Sequence, residues 1–387
     1  MTMTIQLLVT DENLTVQGDP LSGWTNLDAT KRFNEPASGT VRLPAAPHVM
    51  AQLQPGNRLV VIRDGEVWTA GPMEVPADYS WSVDQDPGHG SVTVAFTDDL
   101  AVPAGYITWP APASAWTAQQ GNTWRQIASA TSETIIRALV NENCGPGARA
   151  DRRIPNFTLG PSAGVGSITT TRTRFEPLLE VARRVALGGG GIGFRTQQVG
   201  TGIQFTCYAP ADKTSTARFS RGLGNLRALQ YKASAPTATH VLVAGTETEG
   251  STTRAYVERS SPTAAAAWWR VERYLDGSSE TDAAGELTAA GNADLAESAA
   301  PVELATVTVD TADLRAGVDY DLGDRVSVAL PHGLEVADVV RSIHLQATPN
   351  SGEHVSAVVG SPAATTDPQL VRLVRTLTRR LGRLEAR

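Results

Sequence analysis

The sequence predicts a mainly β protein with an α+β insertion, and three observations carry that prediction. Two β-rich runs, Arg58–Arg63 and Glu66–Pro72, flank Asp64-Gly65, a dipeptide suited to a two-residue hairpin turn because both central positions need positive φ. Helical spacing is concentrated in the middle of the chain, where it stops at Gly145-Pro146-Gly147 and again at the glycine run 188–191. The last third returns to short alternating runs broken at Gly323-Asp324.

Element by element, residues 5–9 read as a first strand, and Trp24–Leu43 as aromatic and branched strand sequence with a break at Gly39. The 58–72 hairpin and a strand at Ser91–Phe96 follow, so the first hundred residues suggest a small barrel or sandwich. After a Pro/Ala/Trp-rich loop at 103–117, Asn122 or Thr123 is placed to cap a helix running to about Asn141. In that helix Trp124, Ile127, Thr131, Ile135 and Leu139 recur at helical spacing. A second helix begins near Glu176, with Pro177 in its first turn, where a missing N–H costs nothing. It sets Leu178, Leu179, Ala182, Val185 and Ala186 on one side.

Strands are expected again at Leu226–Tyr231, His240–Gly245, Thr253–Glu258 and Trp268–Tyr274, then an Ala-rich helix at Thr281–Ala299. Strands at 302–309, 325–330, 335–345 and 353–359 complete the body, and Ser361–Pro368 reads as a polar linker. The expected division is a β domain at 1–105, with 215–234 as its candidate completing segment, and an α+β insertion at 106–214. A second β-rich domain follows at 235–362, then a linker and amphipathic helix at 363–387.

Size and composition bound the function. A chain of 387 residues with 41% hydrophobic content suits two to four folded units with proper cores. A net charge of −7 argues against a chain that binds nucleic acid as a whole, although the six arginines of 367–387 against Asp367 and Glu385 make that stretch +4. Cys144 and Cys207 cannot make a disulfide framework and read as reduced thiols. The N-terminus lacks the basic and apolar regions of a signal peptide, and no uninterrupted apolar stretch approaches about 18 residues, so a soluble chain with no membrane span is expected.

No motif brings chemistry with it. Gly160-Pro161-Ser162-Ala163-Gly164 fits the G-x-S-x-G spacing of a hydrolase elbow, but a Gly/Ser/Thr run follows where a helix is required. Glycines between 188 and 193 satisfy G-x-G-x-x-G with the helix before them rather than after, the reverse of a phosphate-binding loop. Asp319, Asp321 and Asp324 lie close together without the further ligands of a calcium loop, and read as a polar turn. The six histidines are scattered without metal-ligand spacing. No catalytic, cofactor-binding or metal residues are expected.

The positive signal is at the end. Leu370, Val374, Leu377, Leu381 and Leu384 fall at alternating spacings of four and three, a coiled-coil seam, with Arg372, Arg375, Arg379, Arg380 and Arg383 off it. Two heptads are marginal alone in water, so a helix over Leu370–Leu384 docks on its own body, on sister chains or on a partner. Its arginine excess points to an acidic surface there.

Several segments together carry a family likeness. Gly23-Trp24 through Arg32-Phe33-Asn34-Glu35, Val41-Arg42-Leu43-Pro44, Leu53–Arg58 and the Asp64-Gly65 hairpin form its opening part. Asn225–Leu229, Ala238–Gly245, Asp319–Val326 and Val339–Ile343 continue it. In combination they resemble the phage tail-tip, or baseplate, hub proteins, the minor tail proteins of long-tailed phages infecting actinobacteria. The resemblance implies tail-tube-like β-barrel or sandwich domains plus a short C-terminal helix. It also implies a non-enzymatic virion component, assembled in the host cytoplasm as a homotrimeric ring that adapts a hexameric tail tube to a threefold tip. The implied partners are a distal tail or tail tube protein, a tape measure protein and other tip proteins, with phage DNA only in transit and no cofactor. Two other readings remain: a cell-wall hydrolase or endopeptidase of the tail tip, and a carbohydrate-binding module built on the loops around Trp109 and Trp116.

Overall fold

The computed structural model describes residues 5–360 apart from 75–77, 82–89, 234, 248–253, 277–284, 299–301, 331–332 and 351. The expected linker and the helix at Leu370–Leu384 lie outside the described residues. Strands dominate, as the sequence predicts, and they assemble around three cores.

The first core is a two-sheet β body. Strand β1 (Ile5–Thr10) pairs antiparallel with β4 (Arg58–Arg63), and β4 with β5 (Glu66–Pro72). Asp64 and Gly65 join β4 to β5 with φ of 54° and 85°, the left-handed pair that this tight turn demands. The second sheet has eight strands. It contains β2 (Asn26–Arg32), β3 (Glu35–Pro44), β6 (Asp78–Ser80), β7 (Ser91–Thr97), β13 (Arg218–Phe219), β19 (Arg325–Ala329), β20 (Glu335–Thr348) and β21 (Gly352–Val359). Alternation selects its buried face: Leu27 and Ala29, Val41 and Leu43, and Val92, Val94 and Phe96 meet Leu7, Val9, Leu59 and Val61 of the smaller sheet in one core. Gly39 proves to lie inside β3 rather than to break it. A Cβ there would sit 2.5 Å from the Phe96 ring and 2.8 Å from Ala29, so glycine makes room for the ring. The short helix α1 (Pro47–Met50) links β3 to β4.

The boundary expected between 1–105 and 235–362 does not describe this body. Leu27 pairs with Ala347 and Lys31 with Ile343, so the first and last parts of the described chain share a sheet and a core. Strand β13 adds parallel to β19 and buries Phe219 against Tyr320, ring edge to face at 5.3 Å.

The insertion leaves the body through α2 (Ala101–Ala104) and forms the second core. Its helices α3 (Ser132–Asn143) and α4 (Leu178–Gly188) pack on a three-stranded sheet of β9 (Phe157–Leu159), β11 (Gly193–Val199) and β12 (Gly202–Tyr208). Helix α4 starts and stops where the sequence places it, and the five residues predicted for its inner side are buried together with Val181. The expected helix from 122 is corrected. Residues Arg125–Thr131 form strand β8, which pairs antiparallel with the threonine-rich β10 (Ile168–Thr173). Helix α3 begins only where Thr131 caps it, its hydroxyl accepting from the Thr134 N–H at 3.3 Å. The β-branched partner strand, which has little helical option, overrode the local period.

The third unit is the smallest. Strand β15 (His240–Glu247) lies between antiparallel β16 (Arg254–Ser260) and parallel β17 (Glu272–Asp276). Helix α6 (Glu286–Ser298) covers one face, and Ala238, Val241, Val243, Leu287 and Leu295 make the core. Trp268 and Trp269 precede β17 instead of belonging to it. The alanine run before them forms helix α5 (Pro262–Ala267), capped by Ser261 with Pro262 in its first turn. An antiparallel ribbon of β14 (Leu226–Ala233) and β18 (Val302–Thr308) ties this unit to the body. There the Thr308 hydroxyl accepts from the Ala357 N–H at 2.9 Å, and that of Thr306 from Val359 at 3.3 Å.

Candidate assembly surfaces

None of the sequence motifs builds an active site. The loop 160–164 is organised by a buried acid on the neighbouring helix: Glu133 accepts the backbone N–H groups of Ala163 and Val165, each at 2.8 Å. Burial opposes its ionisation, yet those two N–H bonds, the Ser162 hydroxyl and Arg137 together hold the carboxyl below its ordinary range. The loop runs on through Gly164 and Gly166, at φ of 68° and 88°, with no helix after Ser162. Cys144 and Cys207 are buried free thiols, pushed up to about 12 by burial, which makes them inert. Among the described residues no group of three acidic, histidine or cysteine side chains is placed to hold a metal. No described helix is long and apolar enough to cross a membrane.

The aspartate cluster is a joint between the β body and the insertion. Asp319 accepts the Arg315 N–H at 2.7 Å, and Asp324 accepts from Ala211 at 2.7 Å and Asp321 at 2.9 Å, so these carboxylates hold their own turn. Asp321 reaches across to Arg195 of β11 at 3.1 Å, and the Tyr208 hydroxyl of β12 donates to the Leu322 carbonyl at 3.0 Å. Gly323, at φ 87°, lets Phe33 approach: a Cβ there would lie 2.4 Å from its ring. On the other side of that ring, Asn34 at φ 58° inserts its amide into the edge of β11. It accepts the Phe194 N–H at 2.7 Å and donates to the Ile192 carbonyl at 3.0 Å. Its neighbour Glu35 pairs with Arg183 of α4 at 2.7 Å. Two turns of the body thus grip the insertion beside its glycine run, whose order in the sequence is the reverse of a phosphate-binding loop.

Within the body, two arginines are buried in ion pairs. Arg58 makes two bonds to Asp99, at 3.0 and 2.5 Å, and a third to the Thr10 hydroxyl at 3.0 Å. Arg63 meets Glu353 at 2.7 Å and Asp310 at 3.5 Å, and the Tyr320 hydroxyl donates to Asp310 at 3.0 Å. Burial raises the Asp310 carboxyl against the pull of these partners. Asp98, at the exit from β7, is half-buried and pushed up to about 6, mainly by desolvation and despite the Ala37 N–H. Sequence reading missed this set, since Arg63 and its acids are 247 and 290 positions apart. Asn34 stood out in the sequence only as part of the 32–35 segment of the family likeness.

Besides Tyr79 and Trp81 of the body, each 54% exposed, the insertion and the third unit show exposed aromatic side chains. In the insertion Trp116 stands 73% exposed, while Trp109 lies under the Arg152 guanidinium at 4.0 Å and is not free to stack on a sugar. On the third unit Leu242, Tyr256 and Tyr274 share the sheet face opposite α6, because Leu242 pairs with Tyr274 and Ala244 with Tyr256. Trp268 and Trp269, edge to face at 5.7 Å, are exposed beside β17. The predicted contact residues Leu370, Val374, Leu377, Leu381 and Leu384 lie outside the described residues.

The fold has solved relatives over nearly its whole length. The tail protein from Neisseria meningitidis MC58 is similar with a TM-score of 0.59 at 13% identity, over 94% of this chain and 98% of that one. The prophage MuSo2 43 kDa tail protein from Shewanella oneidensis gives 0.58 at 13%, over 93% and 99%. Prophage tail protein gp18 from Listeria monocytogenes EGD-e gives 0.57 at 9%, over 96% and 99%. No curated protein matches the sequence. The likeness to phage tail proteins drawn from the 23–44, 225–245 and 319–343 segments is borne out. A family model described as Siphovirus ReqiPepy6 Gp37-like protein matches residues 5–361, and the chain therefore belongs to that siphovirus family.

Proposed function

We propose that this chain is a non-enzymatic building block of a phage tail, one of three copies in a hub ring at the tail tip. The observation that carries the reading is the shared fold: three tail proteins, two of them from prophages, match it over more than nine-tenths of either chain. In that role the β body forms the ring, joins a hexameric tube or distal tail protein to a threefold tip, and meets a tape measure protein and other tip proteins. The short outer strands β6 and β13, three and two residues long, leave little unpaired edge until copies meet. The net charge of −7 keeps such a ring from gripping DNA in transit. The stripe Leu370, Val374, Leu377, Leu381 and Leu384 serves as a protein-contact segment. Light scattering on the purified chain tests the reading: three times the 40.9 kDa chain mass is expected, in isolation or once a tail partner is added. A chain that stays single in assembled particles, or is absent from them, overturns it.

A further inference from the structure

The insertion and the third unit touch along a seam but share no core. Helix α4 and strand β10 of the insertion pack on α6. The large apolar residues of each helix turn into their own unit: Leu178 and Val181 into the second core, Leu287 and Leu295 into the third. What is left for the seam is small. Ala289, Ala290 and Ala293 of α6 and Gly188 of α4 line a cavity there, together with Arg172 and Glu286. A Cβ built on Gly188 would lie 3.6 Å from that of Ala293. Glycine and alanine bury little apolar area, and units joined that way move relative to one another unless something else holds them.

Charge supplies the hold. Residues 106–214 have eleven Arg and Lys against six Asp and Glu, a net +5, while residues 235–300 have four against ten, a net −6. At the seam Arg172 of β10, stacked on Trp124 at 4.5 Å, faces Glu286 of α6. Their side chains are 16% and 1% exposed, and the 3.8 Å between Nη1 and Oε2 makes an ion pair too long for a hydrogen bond. We infer that the third unit is a hinged flap, swinging as a rigid piece on the ribbon of β14 and β18 and latched against the insertion by Arg172 and Glu286. The ribbon suits a hinge, being two strands wide. Thr306 and Thr308 fix one end of it to β21, so the bend falls towards the end where Ala233 pairs with Val302. The joint between body and insertion is of another kind, since Asn34 makes two short bonds into β11 and Asp321 a third contact with Arg195. Salt screens the attraction between oppositely charged units, so ionic strength sets how often the flap opens.

Thiol labelling on the full chain tests the inference, since Cys144 and Cys207 are buried and stay silent. An Ala293→Cys variant, at the seam, is expected to react with a maleimide at least about tenfold faster than a Val243→Cys variant, whose thiol sits in the third core. Raising sodium chloride to about 0.5 M should quicken the first by at least about threefold and leave the second unchanged. Adding Glu286→Gln to Ala293→Cys should quicken it likewise at low salt. Gly188→Cys with Ala293→Cys should close a disulfide within one chain under mild oxidation, the 3.6 Å separation being within reach. The radius of gyration of that oxidised variant should then stay constant with salt, while the parent's grows. Equal labelling of the two single variants overturns the inference, because the seam then opens only when the unit unfolds. So does labelling at position 293 that is indifferent to both salt and Glu286→Gln, or a crosslink found only between chains, which gives the seam to a second copy.

Discussion

The β body and the third unit solve the same problem in opposite ways. The body buries its charges inside, as Arg58 with Asp99 and Arg63 with Glu353 and Asp310, and closes its sheets over a core drawn from both ends of the described chain. The third unit gathers a core cluster of five buried apolar residues, and one of its arginines pairs at the surface: Arg270, 55% exposed, bridges Glu258 and Glu272. One unit is fixed from within, while the other leans on helix α4, which packs on its helix α6.

Four measurements would break or sharpen that contrast. The largest effect is expected from Arg63→Ala, which strands two buried carboxylates and should lower the unfolding free energy by about 3–5 kcal/mol, read as the urea midpoint. An unchanged midpoint would mean that the body is not held by its buried charges. Asn34→Gly keeps the left-handed turn but removes both bonds to β11. A loss of about 2 kcal/mol is expected, with exchange in 192–208 rising before exchange in the body.

Asp98 should reverse the usual acid sensitivity. Its folded carboxyl, at about 6, sits above the unfolded value, so between roughly pH 4 and 6 the folded state holds the extra proton. Stability present at low pH is then lost as pH rises through that window, by about 3 kcal/mol. Asp98→Asn should flatten this part of the curve, and a slope identical to the parent's would assign it elsewhere. The smallest effect belongs to Arg270→Ala: solvent already screens both of its pairs, and its midpoint should match the parent's.

What could be read from the sequence was local. The 58–72 hairpin appears at the predicted residues because Asp64-Gly65 encodes the turn in two positions, and α4 because Pro177 and the glycine run punctuate both ends. The start of α3 was misplaced because Trp124 and Ile127 happen to continue its period, while the decision came from β10, some forty residues later. Strand β12 escaped notice since its short alternation carries no turn signal as strong as Asp-Gly. The joint between body and insertion was legible only as parts. Asp319–Asp324 read as a turn and Asn34 lay inside a stretch read as strand, and nothing local says that one faces β11 and the other ends in it. The leucine stripe stood out because periodicity is local too.

The pairing of β2 with β20 has a consequence for synthesis on the ribosome. Strand β2 is made within the first 32 residues, yet its hydrogen-bond partner emerges only when the chain passes residue 342. The insertion, whose contacts are all closer in sequence, can close while translation continues; the body must wait with one side of β2 open. A message truncated before β20 would therefore release a folded insertion attached to an unfinished sheet.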